Sequence, residues 1–119
     1  MSVGVQVVID CADPAQLAEF WAAALGYRIA GTEEPYVVLR PTGDGPELLL
    51  QRVPEPKTTK NRMHLDIRTD DLEGEVDRLV SLGALLLNEE PIRDACCQWY
   101  VLTDPAGNEF CVCREPVGR

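Results

Sequence analysis

The sequence predicts an α+β domain in which two tandem βαβββ modules form a cupped mixed β-sheet with the helices on its outer face. Two observations carry this prediction. The segments QVVIDCAD at 6–13 and HLDIRTDD at 64–71 resemble each other 58 residues apart, and each leads into an amphipathic helix that stops at a glycine. Within a single domain over 1–119, we expect module one at 1–53, a linker at 54–62 and module two at 63–119.

Each predicted helix has a start signal, an apolar stripe and a stop signal. Asp13, followed by a proline suited to the first helical position, is the expected N-cap of the first helix. In the second helix, Asp70 and Glu73 have the spacing of a capping box. Gly26 and Gly83 are the expected stops. The stripes comprise Leu17, Phe20, Trp21, Ala24 and Leu25 in the first helix, and Leu72, Val76, Leu79 and Val80 in the second.

Three strand candidates follow each helix, at 27–31, 36–40 and 47–53 in the first module and at 84–88, 98–103 and 109–114 in the second. Turn-forming residues at 41–45 and 104–108 join the last two strands of each module, as hairpin loops require. The prolines and charges of 54–62 are typical of a connector.

Because side chains alternate across a strand, each sheet should have one face covered by its helix and one helix-free face. The covered face is expected to carry Val5, Val7 and Ile9, then Met63, Leu65 and Ile67, then Leu48, Leu50, Phe110 and Val112.

The helix-free face mixes polar and apolar side chains, which is typical of a concave small-molecule site. The alternative is a face that is exposed to solvent or covered by a dimer partner. Trp99 and Tyr100 point to opposite faces, so one of them should line the cup and offer a stacking surface. The expected ligand-binding residues are Gln6, Val8, Asp10, Leu49, Gln51, His64, Asp66, Trp99, Glu109 and Cys111.

The composition excludes several partner classes. Twenty acidic and eleven basic residues give a formal net charge of −9 at pH 7, which repels phosphate backbones and anionic lipids, so we expect no nucleic acid and no membrane partner. No apolar run approaches the roughly 18 residues of a membrane helix, and the N-terminal segment lacks a secretory pattern. A cytoplasmic protein is therefore predicted.

Five cysteines, an odd number, argue against a disulfide framework, and free thiols are expected. Cys111 and Cys113 should share one face of a strand, whereas Cys96 and Cys97 should point apart. A zinc site made from these four would lack the usual C-x₂₋₄-C pairs, and small buried hydrophobic residues are the favoured role.

Over its whole length the chain resembles the vicinal oxygen chelate superfamily, which includes glyoxalase I, bleomycin-resistance proteins and extradiol dioxygenases. The resemblance rests on the paired modules, on the helix LAEFWAAALGY at 17–27 and on DPAGNEFCV at 104–112, which is similar to the superfamily's DP-x-GN hairpin. KNRMHLD at 60–66, together with that ending, is similar to the actinobacterial branch of glyoxalase-like domains. The resemblance implies the fold and leaves the reaction open.

In metal-using members of that superfamily, four ligands come from the first and fourth strands of both modules. The resemblance assigns these positions to Gln6, Leu49, His64 and Cys111. Leucine cannot ligate a metal, and a soft thiol stands where a glutamate is usual, so the resemblance implies that the metal quartet is absent. Glu47, Gln51 or Glu109 would substitute only through a two-residue register shift. We expect no cofactor, with a divalent metal as the alternative.

His64 and Glu109 are the candidate catalytic residues. The single histidine suits the role of an acid, a base, a metal ligand or a hydrogen-bonded core group, and Asp66 on the same face could fix its tautomer. Glu109 would serve as a general base if burial raised its pKa, although a carboxylate beside a turn is more often solvated. Lys57, Lys60 and Arg62 either attract an anionic group at the rim or are solvated.

These residues lead to a functional hypothesis and two alternatives. The hypothesis is a small-molecule-binding protein of the superfamily, without the metal quartet and working as a homodimer. The first alternative is a metal-dependent lyase, isomerase or dioxygenase. The second is a scaffold whose mixed face is only a dimer interface.

Overall fold

The structure is a computed structural model that describes residues 4–95 and 97–114. The chain divides into two compact units, Met1–Lys57 and Thr58–Arg119, and the division falls inside the predicted connector 54–62. Each unit contains one helix and one mixed sheet, which confirms the predicted α+β class.

The first unit runs in the order β1 (Gln6–Cys11), α1 (Pro14–Leu25), β2 (Arg28–Glu33), β3 (Tyr36–Arg40) and β4 (Glu47–Arg52). Its sheet has the strand order β1-β4-β3-β2. The β1 and β4 strands are parallel, and the other neighbouring pairs are antiparallel. The predicted bounds of β3 are confirmed, and those of β2 and β4 differ by one or two residues at their ends.

The second unit runs in the order β5 (Asp66–Arg68), α2 (Leu72–Leu82), β6 (Leu85–Leu86), β7 (Ile92–Arg93), β8 (Gln98–Thr103) and β9 (Glu109–Arg114). Its strand order β5-β9-β8-β6 repeats that of the first unit, again with the first and last strands parallel. The predicted bounds of β8 and β9 are confirmed.

The strand predicted at 84–88 is wrong in length, because β6 holds two residues and the separate strand β7 follows it. The interruption has a local cause. Asn88 Nδ2 donates to the carbonyl of Glu90 at 2.6 Å, which turns the chain, and Pro91 has no backbone N–H to give to a ladder. Pairing with β8 resumes at Ile92.

Helix α1 begins and ends as predicted. The Asp13 side chain accepts the backbone N–H of Gln16 at 3.2 Å, and Gly26 ends the helix in the left-handed region at φ 69°. The helix packs against β3 and β4. Its buried stripe contains Leu17, Phe20, Trp21 and Ala24.

Helix α2 starts one residue later than predicted. Asp71 rather than Asp70 is the N-cap, and its side chain accepts the backbone N–H of Gly74 at 3.1 Å. The shift arises because Thr69 Oγ1 accepts the backbone N–H of Asp71 at 3.1 Å, which turns the chain just before the helix.

The capping box predicted from Asp70 and Glu73 is therefore wrong. A Cβ atom at Gly74 would collide with the Asp71 carboxylate, so the absence of a side chain there leaves room for this carboxylate to cap the helix. Gly83 ends the helix as predicted. Along the predicted stripe, Leu72, Val76 and Leu79 are buried, whereas Val80 is exposed.

Apolar strand residues beneath each helix form the core. In the first unit these are Val37, Leu39, Leu48 and Leu50, and in the second they are Leu102, Phe110 and Val112. The predictions for Val5 and Met63 are wrong, because the side chains are 78% and 86% exposed. Both residues precede the strands β1 and β5, outside the stretch of sheet that pairs and is covered.

The cap of α2 gives a stability prediction with a matched control. Asp71→Ala should lower the free energy of unfolding by about 1 kcal/mol, because the Gly74 N–H loses its acceptor. Asp70→Ala, at the neighbouring exposed carboxylate, should change it by less than about 0.5 kcal/mol. Urea unfolding of both variants measures the difference, and an equal loss in the two would contradict the assignment of the cap.

Candidate functional site

The predicted site residues of the first unit lie on its helix-free face. Val8 on β1 pairs with Leu49 on β4, and Asp10 pairs with Gln51. Val38 on β3 flanks Leu49 from the other side. Leu49 therefore lies in the middle of an apolar row, Val8–Leu49–Val38, that offers no metal ligand.

A polar row lies next to it on the same face. Glu47 Oε2 accepts from Arg40 Nε at 2.7 Å, and Glu47 Oε1 accepts from Gln6 Nε2 at 2.7 Å. The Arg40 hydrogen bond, and after it the Gln6 bond, hold the pKa of Glu47 below its ordinary value. The ladder from Gln6–Glu47 to Cys11–Arg52 runs without a bulge over these described residues, so no register shift brings Glu47 into the row of Leu49.

Three predicted site residues come together in the second unit. Asp66 on β5 pairs with Cys111 on β9, and His64 lies two residues before Asp66. His64 Nε2 lies 3.2 Å from Asp66 Oδ1. One nitrogen, one oxygen and one sulfur atom of His64, Asp66 and Cys111 all lie within 4.8 Å of one another. We call this group the donor trio.

The environment of Cys111 raises the pKa of its thiol. The side chain is 8% exposed, and burial is the main cause that raises the pKa of the thiol above its ordinary value. The Asp66 carboxylate raises this pKa further, while the Lys60 ammonium opposes the rise. The sequence predicted either a rim role or a solvated one for Lys60. In the structure its charge opposes the rise in the pKa of Cys111.

Asn61 fastens the segment that carries His64. Its backbone N–H donates to Glu109 Oε1 at 2.8 Å, and its Nδ2 donates to the Glu109 carbonyl at 2.8 Å. Further along, the Cys111 N–H donates to the Leu65 carbonyl at 2.9 Å. Residues 61–65 are thus held to β9 at both ends. No sequence signal marks Asn61, because an asparagine in a connector is ordinarily a turn residue.

The same bond bears on Glu109 as a candidate base. One oxygen of its carboxylate accepts the Asn61 N–H, and its side chain is half-buried. This hydrogen bond occupies one of the two carboxylate oxygens and ties Glu109 to the segment that carries His64.

Trp99 lies on the helix-free face of the second unit and Tyr100 on the covered face. Tyr100 is buried, and its hydroxyl donates to Glu73 Oε2 on α2 at 3.2 Å. Burial and the Glu73 carboxylate raise the pKa of Tyr100. Trp99 pairs with Cys113 on β9 on one side and with Ile92 on β7 on the other.

An apolar surface therefore adjoins the donor trio. Val101 pairs directly with Cys111, and Trp99 lies one row further along the same face. The sequence prediction omitted Val101 and Ile92, although the period-2 alternation of β8 could have identified Val101. Ile92 could not be assigned because β7 was not predicted.

The atoms of the donor trio are of types that bind metal ions, whereas the Leu49 side chain has no such atom. An imidazole nitrogen, a carboxylate oxygen and a thiol sulfur are the ligands that zinc takes in proteins. No disulfide joins Cys11, Cys97, Cys111 and Cys113 within the described residues, and Cys96 lies outside them. In the described residues, no helix is long and apolar enough to cross a membrane.

The polar row of the first unit gives a pH prediction. The lowered pKa of Glu47 means that its bonds stabilise the folded state above the ordinary pKa of glutamate and lose that effect as the pH falls through the lowered value. Glu47→Gln should therefore lower the melting temperature slightly at pH 7 and leave it unchanged in acid. Thermal melts between pH 7 and pH 2 measure this, with Glu55→Gln in the connector as the control. A deficit that persists in acid would contradict the ionic origin.

Known proteins share this architecture. A glyoxalase/bleomycin resistance protein/dioxygenase family enzyme from Burkholderia phytofirmans PsJN has a TM-score of 0.77 at 16% identity, over 93% of this chain and 97% of that one. FosX, a fosfomycin resistance protein from Listeria monocytogenes, has a TM-score of 0.76 at 10% identity, over 98% and 94%. TnmS3, an antibiotic binding protein from Streptomyces sp. CB03234, has a TM-score of 0.69 at 18% identity, over 98% and 99%. At these identities the likeness shows the fold alone.

Sequence comparison gives the family. No curated protein matches the chain. The model of the glyoxalase-like domain matches residues 6–113, which is most of the sequence. The chain therefore belongs to the glyoxalase-like domain family.

Proposed function

We propose that the protein binds a small organic molecule without using the four-ligand metal set of its superfamily. The observation that carries the proposal is the helix-free face of the second unit, where the apolar residues Trp99 and Val101 adjoin the polar pair His64 and Asp66. A mostly apolar surface with a few fixed polar groups is what a small ligand requires for affinity and orientation.

Trp99 is the expected anchor. Its side chain is half-buried, so part of the indole remains available for contact, and Ile92 and Cys113 border it on the neighbouring strands. An aromatic contact of this kind contributes about 0.5–1.5 kcal/mol beyond the apolar area that it buries.

The polar pair would set the orientation of the ligand. His64 Nε2 is 3.2 Å from Asp66 Oδ1, and the two side chains remain 43% and 54% exposed. Both can therefore turn towards a ligand at little packing cost, and each offers a hydrogen bond that an apolar molecule lacks.

The first unit supports binding without the metal quartet. Leu49, at one of the four ligand positions, is flanked by Val8 and Val38, which suits contact with a hydrocarbon part of a ligand. Gln6, at another of these positions, already donates its amide N–H to Glu47.

Two structural neighbours support an antibiotic-like ligand. TnmS3 is described as an antibiotic binding protein and FosX as a fosfomycin resistance protein. For this chain we propose the same broad class, a metabolite or drug that combines an apolar ring or chain with heteroatoms.

The proposal also includes three predictions made from the sequence. These are membership of the actinobacterial branch, a cytoplasmic location and a homodimer. Among the described residues no disulfide is formed, which is typical of a reducing compartment.

The donor trio favours a second candidate, a metal-dependent lyase, isomerase or dioxygenase. One nitrogen, one oxygen and one sulfur atom within 4.8 Å would hold an ion that polarises a bound substrate. In that case ligand binding or turnover would depend on the metal, which separates the two candidates.

The binding proposal predicts a fluorescence signal from one of the two tryptophans. In a panel that includes bleomycin and fosfomycin, a molecule that raises the melting temperature should also change the emission of Trp99. Trp99→Phe should abolish the emission change, because the remaining Trp21 lies on the buried stripe of α1 at 1% exposure. Trp99→Ala should weaken binding by at least roughly three- to tenfold, because it removes the aromatic contact and also the apolar area that the indole buries.

Val80→Ala on the exposed side of α2 serves as the control and should retain full affinity. A ligand that raises the melting temperature while both Trp99 variants bind it as tightly as the parent would contradict the proposed location.

The two candidates differ in their response to metal removal. Dialysis against a chelator should leave the ligand-induced melting shift intact if the protein only binds its ligand. A shift or a turnover that disappears with the chelator, returns with added metal and is absent in His64→Ala would favour the metal-dependent enzyme instead.

A further inference from the structure

We propose that His64, Asp66 and Cys111 form a zinc-class metal site that lies wholly within the second unit. It differs from the quartet that the superfamily resemblance assigns, because it takes no ligand from the first unit and adds Asp66 as a ligand. Small-molecule binding does not require this ion, so the inference is independent of the binding proposal; it names the ligands and the class of ion that the second candidate function would need.

The distances suit a tetrahedral ion. Bonds of roughly 2.0–2.3 Å from zinc to nitrogen, oxygen and sulfur set neighbouring donor atoms about 3.3–3.8 Å apart. His64 Nε2 and Asp66 Oδ1 are already 3.2 Å apart, and no pair in the donor trio exceeds 4.8 Å. Closing the site therefore takes shifts of about 1 Å, which the half-exposed His64 and Asp66 side chains can make by rotation.

The backbone around the trio is fixed before any ion arrives. Parallel pairing holds Asp66 against Cys111, and the Cys111 N–H donates to the Leu65 carbonyl at 2.9 Å. Asn61 binds Glu109 through both its backbone N–H and its side chain. The segment carrying His64 is held on both sides, so ordering it costs little entropy when an ion binds.

The kinds of donor select the class of ion. Magnesium and calcium prefer six or more oxygen ligands, whereas the trio supplies one carboxylate. Thiolate and imidazole are ligands for zinc and similar borderline-soft ions. Binding would release the proton of Cys111, and the thiolate with the Asp66 carboxylate would then balance the two positive charges of the ion.

Three protein ligands also leave one position of a tetrahedral ion for solvent or a ligand, as in zinc sites that are not purely structural. The adjoining Trp99 and Val101 would border that position on the apolar side.

Cobalt(II) is the probe, because it replaces zinc and is coloured. Titration of the metal-free chain should give visible bands of a tetrahedral ion and a near-ultraviolet sulfur-to-cobalt charge-transfer band, saturating at about one ion per chain. Zinc should bleach both. His64→Ala should abolish binding, and Asp66→Asn should weaken it roughly 10- to 100-fold.

Cys111→Ser should lose the charge-transfer band, while Cys113→Ser is the matched control and should keep it. Cys113 lies two residues further along the same strand, on the same face, and is equally buried at 8% exposure. Far-ultraviolet circular dichroism shows whether each variant is folded.

Three results would overturn the site: no charge-transfer band in the parent chain, a band lost in Cys113→Ser instead of Cys111→Ser, or unchanged cobalt affinity in folded Asp66→Asn. None of them bears on ligand binding, which is measured in chelator-treated protein. Failure of the metal site and failure of the proposed function are therefore distinguishable.

Discussion

Parallel pairing between the first and last strands of each unit is the constraint on which the rest depends. Strands that run in the same direction need a long connection, and here α1 or α2 and the intervening strands supply it. This pairing brings Asp66 next to Cys111, 45 positions later in the chain, and Val8 next to Leu49. The helices cover one face of each sheet, so the candidate site residues lie on the other face.

Much of the fold was accessible from the sequence because its signals are local. Alternation together with turn residues gave the bounds of β3, β8 and β9, and the Asp13 cap followed from its position before a proline. Two of the errors arose where a short-range hydrogen bond overrode the pattern. The Thr69 hydrogen bond moved the N-cap of α2 to Asp71, and the turn around Asn88 shortened the strand after α2 to two residues.

The candidate site was predictable only in part. Strand alternation and the family resemblance led to His64, Asp66, Trp99 and Cys111, and the strands do bring three of them together. The contribution of Asn61 was not foreseen, because its bonds reach 48 residues along the chain to Glu109. Such pairing leaves no periodic trace in the sequence, because it joins a residue outside the strands to a strand residue far along the chain.

The two helix-free faces carry corresponding rows of different chemistry, Val8–Leu49–Val38 in one unit and Asp66–Cys111–Val101 in the other. Both rows are built on the same backbone ladder, whose hydrogen bonds do not depend on the side chains that it carries. A substitution at Leu49 or Cys111 therefore alters the surface chemistry of one unit while the strand order of both units is conserved.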